Sequence, residues 1–572
     1  MLVAMFAASV AHSATIVVPA GGDLQAALNA AQSGDVIALE AGATYVGNFV
    51  LPDKGDITLP IVIRSSASDA SLPAPGIRMT PAYAALLPKI KSPNGFAALS
   101  TAPAANHWTL QFLEFQANAN GTGDIIDLGA GDSTQTDLSQ VPYQLLVDRV
   151  YVHGDPIMGQ KRGIGLNSRD TAIVNSYIVD CKSVTQDSQA ISGFNGPGNY
   201  LIENNYLEAA AEDFLLGGAD PPIPNLVTSN VTFGRNHLSK PLAWRDPIVA
   251  DVTNVAATAA AGAGSLAAGT YSYKVVARMP AGLTTAVSAP SAEASATLDA
   301  AGGISISWTP VAGAIDYRVY GRLAGSENMF WTATDPVFTD TGAAGTNGTP
   351  PRATKWSVKN LFELKNAQDV LVEGNVMENL WVADQSGYPI LFTPRNQNGK
   401  APWAVVQRVT FQHNLVRHAA GGINILGSDN INPSLLTNHI TIRDNGPDSI
   451  TIDHNTIVTN DLAIYWMYGG TASSPTPITN AVYTNNMSAH NSYGMIGSSF
   501  ASGFSSINAY LLAPVIDRNV LAGGNAARYP AGNYFPTVAN WRAEFVDYSG
   551  GDYHLQPTSV FRTVATDGGD LG

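Results

Sequence analysis

A repeated pattern of apolar and polar positions runs along most of the chain. Its form is apolar, x, apolar, x, x, Asn, x, apolar, as in the run from Tyr200 to Leu207. The alternation before the asparagine predicts a short strand, because neighbouring side chains of a strand point to opposite faces. The asparagine recurs at Asn205, Asn236, Asn375, Asn414, Asn455, Asn486 and Asn519. Apart from one long gap, these copies follow one another at the period of a solenoid built from stacked strands.

A second short strand precedes many copies, for example from Gln189 to Phe194 and from Phe214 to Ala219. Two or more strands per repeat predict a parallel β-helix, whereas a propeller would need antiparallel hairpins in every blade. We expect the asparagines to stack at one corner, with their amides hydrogen-bonded from turn to turn. Before the first repeat, the apolar spacing after Asp23 predicts a short amphipathic helix that covers the open end of the sheet stack.

The long gap spans 139 residues, from Asn236 to Asn375, and contains a segment of different character. Residues 249–352 are rich in Ala, Gly and Thr and include alternating runs such as the one through Tyr271 and Tyr273. Removing these 104 residues from the 139 leaves 35, the length of one ordinary turn. We therefore predict an antiparallel β-sandwich inserted into a single turn, with solenoid on both sides in residues 14–248 and 353–572.

Composition and charge narrow the class of protein. The 572 residues carry 30 Lys and Arg against 45 Asp and Glu, a net charge of −15, which argues against nucleic acid or an anionic membrane as a general partner. Only 13% of residues are charged, about half of the usual ~25%. A single cysteine, Cys181, excludes an intramolecular disulfide framework.

The N-terminus predicts the compartment. Met1 to Val10 is an apolar run, and small residues precede Ala14, so residues 1–13 are predicted to be a secretory signal peptide. No later segment is long and apolar enough to predict a membrane span. We expect a secreted, extracellular or periplasmic protein. The pattern does not predict an oligomeric state.

The helical cap, the asparagine-containing turns and the ending from Asp552 to Gly572 resemble secreted right-handed parallel β-helix proteins of the pectate-lyase-like superfamily. The resemblance covers residues 15–248 and 353–572, and the run from Ser307 to Tyr320 resembles a fibronectin type III-like module. The superfamily implies an all-β, right-handed fold and action on, or binding of, polysaccharide. It includes lyases, glycoside hydrolases, esterases, phage tailspikes and adhesins, so the fold alone does not define the reaction.

Three stretches are similar to pectate lyases proper: the run starting at Asp187, the run from Glu212 to Asp220, and the run from Asn236 to Arg245. The similarity implies a calcium-assisted lyase. The arginine cluster of those enzymes is reduced here to Lys240 and Arg245, and their full set of calcium carboxylates is not matched. The catalytic motifs of polygalacturonases are likewise not matched.

Candidate chemistry comes from the stacking of equivalent positions about 4.8 Å apart in successive turns. Residues three or four after the asparagine position, which Ser176 occupies in an earlier repeat, are expected to form an exposed column at one corner, namely Asp180, Glu208, Lys240, Glu378, Arg417 and His418. In this hypothesis Ca²⁺ is bound by Asp180, Asp187, Glu208 and Asp213, since calcium prefers several carboxylate oxygens. Lys240 or Arg245 would then remove the proton α to a uronate carboxylate.

Substrate contacts are predicted for aromatic and charged side chains along the same turns, namely Trp244, Glu378, Trp381, Arg395, Trp403, Arg417 and His418. The favoured function is an acidic-polysaccharide lyase. Two alternatives stay open: a glycoside hydrolase that pairs Asp180 with Glu212 or Asp213, and a non-catalytic structural or adhesive β-helix. For the lyase, Lys240→Ala and Arg245→Ala are expected to abolish turnover and to leave thermal stability nearly unchanged, because both residues are expected to be exposed at the corner.

Overall fold

A computed structural model describes residues 14–282, 284–427, 447–471 and 473–572. The predicted signal peptide, residues 1–13, lies outside the described residues. Twenty-one short strands precede the inserted segment: β1 (Thr15–Val18), β2 (Val36–Leu39), β3 (Thr44–Val46), β4 (Phe49–Leu51), β5 (Ile61–Ser65), β6 (Lys89–Lys91), β7 (Leu99–Thr101), β8 (Trp108–Gln111), β9 (Glu114–Gln116), β10 (Asp124–Leu128), β11 (Tyr143–Asp148), β12 (Tyr151–His153), β13 (Arg162–Leu166), β14 (Arg169–Val174), β15 (Tyr177–Cys181), β16 (Gln189–Gly193), β17 (Gly198–Glu203), β18 (Tyr206–Ala209), β19 (Glu212–Leu216), β20 (Thr228–Gly234) and β21 (His237–Ser239).

The inserted segment contains longer strands: β22 (Ala256–Leu266), β23 (Gly269–Ala281), β24 (Thr284–Val287), β25 (Ala294–Leu298), β26 (Gly302–Ser307), β27 (Asp316–Arg322), β28 (Met329–Ala333), β29 (Val337–Asp340) and β30 (Thr346–Asn347). The solenoid then resumes with β31 (Asn360–Leu364), β32 (Ala367–Glu373), β33 (Val376–Leu380), β34 (Ile390–Phe392), β35 (Val406–Gln412), β36 (Leu415–Ala419), β37 (Ile423–Leu426), β38 (Asp448–Asp453), β39 (Thr456–Thr459), β40 (Tyr465–Tyr468), β41 (Gly470–Thr471), β42 (Ser474–Pro475), β43 (Ile478–Thr479), β44 (Val482–Thr484), β45 (Met487–Ala489), β46 (Met495–Gly497), β47 (Leu511–Leu512), β48 (Val515–Asp517), β49 (Val520–Ala522), β50 (Phe545–Asp547) and β51 (Asp552–Leu555). The described α-helices are α1 (Leu24–Ala30), α2 (Phe504–Tyr510) and α3 (Val538–Arg542).

Three long parallel sheets form the solenoid within the described residues. Sheet A runs β1-β2-β5-β8-β11-β14-β17-β20-β32-β35-β38-β43-β47, with β44 and β48 also joined to it. Sheet B runs β3-β6-β9-β12-β15-β18-β21-β33-β36-β39-β45-β49, and sheet C runs β4-β7-β10-β13-β16-β19-β31-β34-β37-β40-β46. Most coils contribute one strand to each sheet. This is the predicted right-handed parallel β-helix, and the fold prediction is confirmed.

The core lies inside the three sheets, where one apolar side chain stacks on the next coil's equivalent. In sheet C the strand register aligns Ile164 with Ile191, Ile191 with Phe214, and Phe214 with Phe362. The rings of Phe214 and Phe362 stack with centroids 5.4 Å apart. Because the strands of the solenoid are short, its stability depends on this stacking between coils rather than on any single coil.

The predicted asparagine ladder lies at the corner between sheets A and B. From Asn205 to Asn519, each side-chain amide donates to the side-chain oxygen of the next asparagine at 2.8–3.1 Å. The same oxygen accepts the preceding asparagine's backbone N–H, for example Asn414 Oδ1 from Asn375 N at 2.9 Å. The left-handed residue of each bend is the one before the ladder position, such as Arg235 with φ of 53° and His413 with φ of 52°.

The inserted segment forms two antiparallel sheets, β22-β26-β29 and β24-β23-β27-β28-β30, with β25 paired to β23. The coils on either side of it pair directly: β19 with β31, β20 with β32 and β21 with β33. The Asn236 amide likewise donates to Asn375 Oδ1 at 3.1 Å across the insertion. The solenoid hydrogen bonding is therefore continuous past the sandwich. A fibronectin type III-like relationship stays a prediction.

Both ends of the solenoid carry additional structure. At the start, the Asp23 carboxylate caps α1 by accepting from Ala26 N at 2.9 Å, and Leu24 and Leu28 are buried. At the end, a cluster formed by Trp541, Phe545, Phe561 and Leu571 packs on the outside of sheet B. Within the described residues, the helices are too short to cross a membrane.

The ladder generates the first testable prediction. Asn414→Ala removes the acceptor of two Asn375 N–H groups and the donor to Asn455 Oδ1, all in the buried corner. Each buried partner left unpaired costs about 1–3 kcal/mol, so we expect a clearly lower thermal midpoint in calorimetry. Asn398→Ala, at an exposed loop position, is the control and should change little. Equal midpoints for the two variants would contradict a stabilising role of the ladder.

Candidate functional site

The outer face of sheet B carries a line of polar side chains on four neighbouring strands. Leu207 and Leu238 face inward and are paired in register on β18 and β21. On the next strands, Ser239 is paired with Glu378, and Glu378 with Arg417. Since side chains alternate along each strand, the residue after each inward-facing apolar position faces out. The predicted column is therefore present on this face for Glu208, Glu378 and Arg417.

Glu378 is the centre of the most connected group on this face. Its Oε1 accepts from His237 Nε2 at 2.8 Å, and its Oε2 accepts from Arg417 Nε at 2.6 Å. His418 Nδ1 lies 4.0 Å from Oε2. The hydrogen bond from His237, followed by that from Arg417, lowers the pKa of Glu378 to about 2. A carboxylate that is ionised at neutral pH therefore orients an imidazole and a guanidinium side by side.

An aromatic side chain stands next to His237. The ring of Tyr206 contacts the imidazole edge-on with centroids 5.0 Å apart, and Tyr177 stacks on Tyr206 at 4.6 Å. Burial raises the pKa of the Tyr206 hydroxyl, so this group stays protonated at neutral pH. We use the name Glu378 site for Tyr206, His237, Glu378, Arg417 and His418.

A groove of about 410 Å³ adjoins the Glu378 site at the corner between sheets B and C. Its lining residues are Arg245, Leu380, Trp381, Val382, His418, Ala420, Asn460 and Asp461. The Arg245 guanidinium lies 4.8 Å from the centroid of the Trp381 ring. His418 belongs to both the groove and the Glu378 site. The structure thus brings together five residues predicted from the sequence, namely Arg245, Glu378, Trp381, Arg417 and His418.

Lys240 is placed differently from the expectation. Its side chain is 0% exposed and turns into the solenoid, where Nζ donates to Ala209 O at 2.5 Å and to Asp213 Oδ1 at 3.1 Å. Burial lowers the pKa of Lys240, and burial raises the pKa of Asp213 to about 7. The expected exposure of Lys240 is wrong because β21 ends at Ser239 and the chain bends at the next residue. In this conformation its amine is shielded from a polymer outside.

The four carboxylates predicted to bind calcium do not form one site. Asp213 is enclosed with Lys240, Asp187 pairs with Lys359 Nζ at 2.5 Å, and Asp180 pairs with Lys182 Nζ at 2.6 Å. Among the described residues, no group of three or more His, Cys, Asp or Glu side chains is arranged to hold a metal ion. Three of the carboxylates are instead neutralised by a lysine each, so the four do not fit the expected calcium set. Calcium dependence stays a prediction.

Glu208 differs from its predicted partners because the charge of a neighbouring acid, Asp180, acts on its carboxylate more strongly than the charge of Lys182. Its Oε1 accepts from Asp180 N at 3.2 Å. Burial, followed by the charge of Asp180, raises the pKa of Glu208 to about 7. A carboxyl group of this kind exchanges protons near neutral pH, which is a property of many functional sites.

Three predicted substrate contacts lie away from the groove surface. Trp244 is 5% exposed and belongs to an apolar cluster with Trp356 and Leu380, so its ring is not available to stack on a sugar. Trp403 Nε1 donates to Leu226 O at 2.9 Å, and Arg395 N donates to Lys365 O at 3.0 Å. These bonds place Trp403 and Arg395 beyond the end of β31 in sheet C, not beside Glu378.

Sequence reasoning missed Tyr206 and His237, which follow the ladder asparagines directly. It also missed a charged group on the outer face of sheet C. There Glu363 accepts from Thr393 Oγ1 at 2.7 Å and from Asn360 Nδ2 at 3.1 Å, and pairs with Lys365 at 3.2 Å. Burial, then the charge of Glu363, raises the pKa of Glu212 to about 7. The strand register aligns Tyr206 with His237 and Glu212 with Asn360, which was the available signal, whereas Glu363 is aligned with Leu215 and Leu391 and gave none.

Comparisons with known proteins add the following. No family model matches the chain, and no curated protein matches it. Among solved structures, an alginate lyase from Paenibacillus sp. str. FPU-7 is 13% identical, with a TM-score of 0.34 over 91% of this chain and 99% of that one. A mannuronic acid-specific polysaccharide family 6 lyase from human gut microbiota is 10% identical, with a TM-score of 0.42 over 93% of each chain. Pectate lyase Pel9A is 10% identical, with a TM-score of 0.30 over 98% of this chain and 93% of that one. At these values the similarities carry no argument about the reaction.

The buried pair generates a second prediction. Lys240→Met leaves the Asp213 carboxylate enclosed without its cation, which should cost about 3–5 kcal/mol. The double variant Lys240→Met/Asp213→Leu should recover much of that loss, because neither charge is then left unpaired. Denaturant unfolding of the single and double variants measures the coupling. Lys400→Met, at an exposed position, is the control, and additive losses at Lys240 and Asp213 would contradict the pairing.

The third prediction concerns pH. Since the pKa of Glu208 is about 7 in the folded protein, against 4.5 for an isolated glutamate side chain, the folded state binds more protons between these values. Its contribution therefore lowers the free energy of unfolding as pH rises from about 4.5 to about 7. Glu208→Gln removes this contribution, so the variant should gain stability relative to the unsubstituted protein as pH increases. Asp299→Asn, on the exposed surface of the sandwich, should show a constant difference. A constant difference for Glu208→Gln would refute the shifted pKa.

Proposed function

We propose that the protein is a secreted polysaccharide lyase that cleaves an acidic polysaccharide by β-elimination at the Glu378 site. One observation carries the proposal: Glu378 binds His237 and Arg417 at the same time, beside a groove that contains Arg245 and Trp381. The side chains of His237, Arg417 and His418 are 31%, 24% and 55% exposed, so a polymer outside sheet B can reach them.

The chemistry requires a base, an acid and a cation. In β-elimination, a base removes the proton on the carbon next to the uronate carboxylate, the bond to the glycosidic oxygen breaks, and that oxygen takes up a proton. The products are a new chain end and an unsaturated uronate. His237 is the proposed base, because Glu378 fixes one ring nitrogen and stabilises the imidazolium that forms. Tyr206 is the proposed acid, since its hydroxyl stays protonated at neutral pH.

The protein has a net charge of −15, so it needs local positive charges to bind an acidic polymer. The guanidinium groups of the site supply these positive charges. Arg417, next to the proposed base, is assigned to the carboxylate of the reacting sugar, which a planar guanidinium binds through two hydrogen bonds. Arg245 and Trp381 are assigned to a neighbouring sugar in the groove. In this assignment Arg245 binds substrate instead of acting as a base. No step depends on calcium.

A glycoside hydrolase is the second candidate, favoured by Glu208. A carboxyl group with a pKa of about 7 suits a general acid, and Glu378 has a pKa of about 2 and suits the partner carboxylate. The two residues lie two coils apart, about 9.6 Å at the usual strand spacing. This is just above the range of about 6.5–9.5 Å for inverting enzymes. The hydrolase would release reducing ends without forming an unsaturated product.

The fourth prediction tests the proposed function. Incubation with pectate, alginate and glycosaminoglycans, each with calcium and with a chelator, should produce the ultraviolet absorbance of an unsaturated uronate on at least one polymer. His237→Gln, Glu378→Gln and Arg417→Gln should each lower kcat/KM by about 10²–10⁴-fold. Arg408→Gln is the matched control, because Arg408 pairs with Asp369 on the outside of sheet A.

The alternatives give different results in the same assay. Reducing ends without ultraviolet absorbance, lost in Glu208→Gln, would replace the lyase with the hydrolase. Neither signal on any polymer would contradict both enzymes and favour the structural or adhesive protein. Loss of activity in Arg408→Gln equal to that in Arg417→Gln would contradict the location of the site.

A further inference from the structure

We propose that the C-terminal segment, residues 534–572, closes one end of the Glu378 site, so that the protein acts at the terminus of a polysaccharide chain and not within it. This inference rests on the proposed function. Its observations are a change in the character of the sheet B surface and the location of the hairpin β50-β51.

The outer face of sheet B changes abruptly along the solenoid axis. On β18 to β36 it carries Glu208, Glu378 and Arg417, whereas the following strands carry buried apolar residues. These residues are Val458 on β39, Met487 and Ala489 on β45, and Val520 and Ala522 on β49. They form one buried cluster with four large side chains of the C-terminal segment: Trp541, Phe545, Phe561 and Leu571. The segment therefore covers sheet B from β39 onward, where no polymer can lie.

The edge of this cover lies at Arg417. A Cβ atom built on Gly551 would be 3.1 Å from Arg417 Nη1, and Gly551 has φ of +83°, which favours glycine. Burial raises the pKa of Tyr553. Its hydroxyl is also close enough to Arg417 and Glu378 for Arg417 to lower this pKa and for Glu378 to raise it. A cavity of about 240 Å³ separates the hairpin from sheet B here and is lined by His413, Leu415, Thr456, Tyr553 and His554.

The C-terminal segment is hydrogen-bonded to the solenoid at several points, so it is a fixed part of the fold. We call it the wall below. Asn485 Nδ2 donates to Thr566 Oγ1 at 2.8 Å, and Thr566 N donates back to Asn485 Oδ1 at 2.9 Å. Gly572 N donates to Asn485 O at 2.9 Å. Trp541 is 0% exposed beneath the segment. Opening the segment would expose this whole apolar cluster to water, which the hydrophobic effect opposes.

A polymer that follows the polar face from β18 toward β36 meets this wall directly after Arg417. Only a chain terminus fits there, because a continuing chain would need the space filled by β50 and β51. The 240 Å³ cavity at the base of the hairpin gives room for the last sugar or its substituent. The structure thus predicts release of short products from one end of the polymer.

The fifth prediction compares viscosity with product formation for the polymer that is cleaved, using the full chain. We expect unsaturated product to accumulate while viscosity falls slowly, with short oligosaccharides from the earliest time points. An early collapse of viscosity with a ladder of intermediate lengths would overturn the inference. Should no polymer be cleaved, the proposed function fails but the wall is still tested by binding of pectate and alginate fragments. At equal polymer mass, shorter fragments present more chain ends. Binding that strengthens with the number of chain ends supports the wall, and binding that does not depend on this number overturns it.

A pair of hairpin variants tests the wall directly. Tyr553→Ala removes the ring beside Arg417, whereas Tyr548→Ala removes a ring of the same hairpin that contacts Trp541 at 5.5 Å. We expect Tyr553→Ala alone to raise the share of intermediate-length products, or, in the binding assay, to reduce the dependence on chain ends. Matched thermal midpoints would show that both variants are folded. Indistinguishable behaviour of both variants and the unsubstituted protein would overturn the role of the hairpin.

Discussion

The hydrogen-bond register between successive coils is the constraint on which the structure depends. Each strand is too short to specify its own alignment, and a slip of one residue would exchange its inward and outward faces. The asparagine ladder opposes such slips, because each amide meets both the side chain and the backbone of its neighbours in a buried corner. The ladder continues from Asn236 to Asn375 across the sandwich, which explains how the solenoid accommodates an insertion of about one hundred residues within a single coil. The outward alignment of Glu378 with Arg417 is a direct consequence of this register.

Two ion pairs that involve residues of the predicted column differ in how deeply they are buried. Lys240 and Asp213 form an ion pair with both side chains fully enclosed, where desolvation is large and the pair contributes to structure. Glu378 and Arg417 form a pair with 12% and 24% exposure at the surface, next to an open groove. The first pair is positioned to hold the corner between sheets B and C. The second is positioned to meet a ligand, and the apolar C-terminal segment ends beside it.

Much of the fold was predictable, because alternation and the repeated asparagine are local signals. The strands, the helical cap beginning after Asp23 and the stacked asparagines all follow from them. The site was predictable only in part. Spacing located Glu378, Arg417 and His418 on one face, but not the inward turn at Lys240, since the direction of a corner residue depends on where the preceding strand ends. Nor does spacing reveal that Lys359, which follows the sandwich, neutralises Asp187 from an earlier coil. Such partners are set by coil stacking and not by sequence distance.

The proposed function depends on substrate binding to the outer face of sheet B, with the substrate carboxylate at Arg417. A crystal structure of the His237→Gln variant with a bound oligouronate tests this most directly. We expect a uronate carboxylate against the Arg417 guanidinium, a neighbouring sugar beside Trp381, and a chain terminus against Tyr553. An oligosaccharide bound instead to the outer face of sheet C, beside Glu363 and Lys365, with sheet B unoccupied, would contradict it.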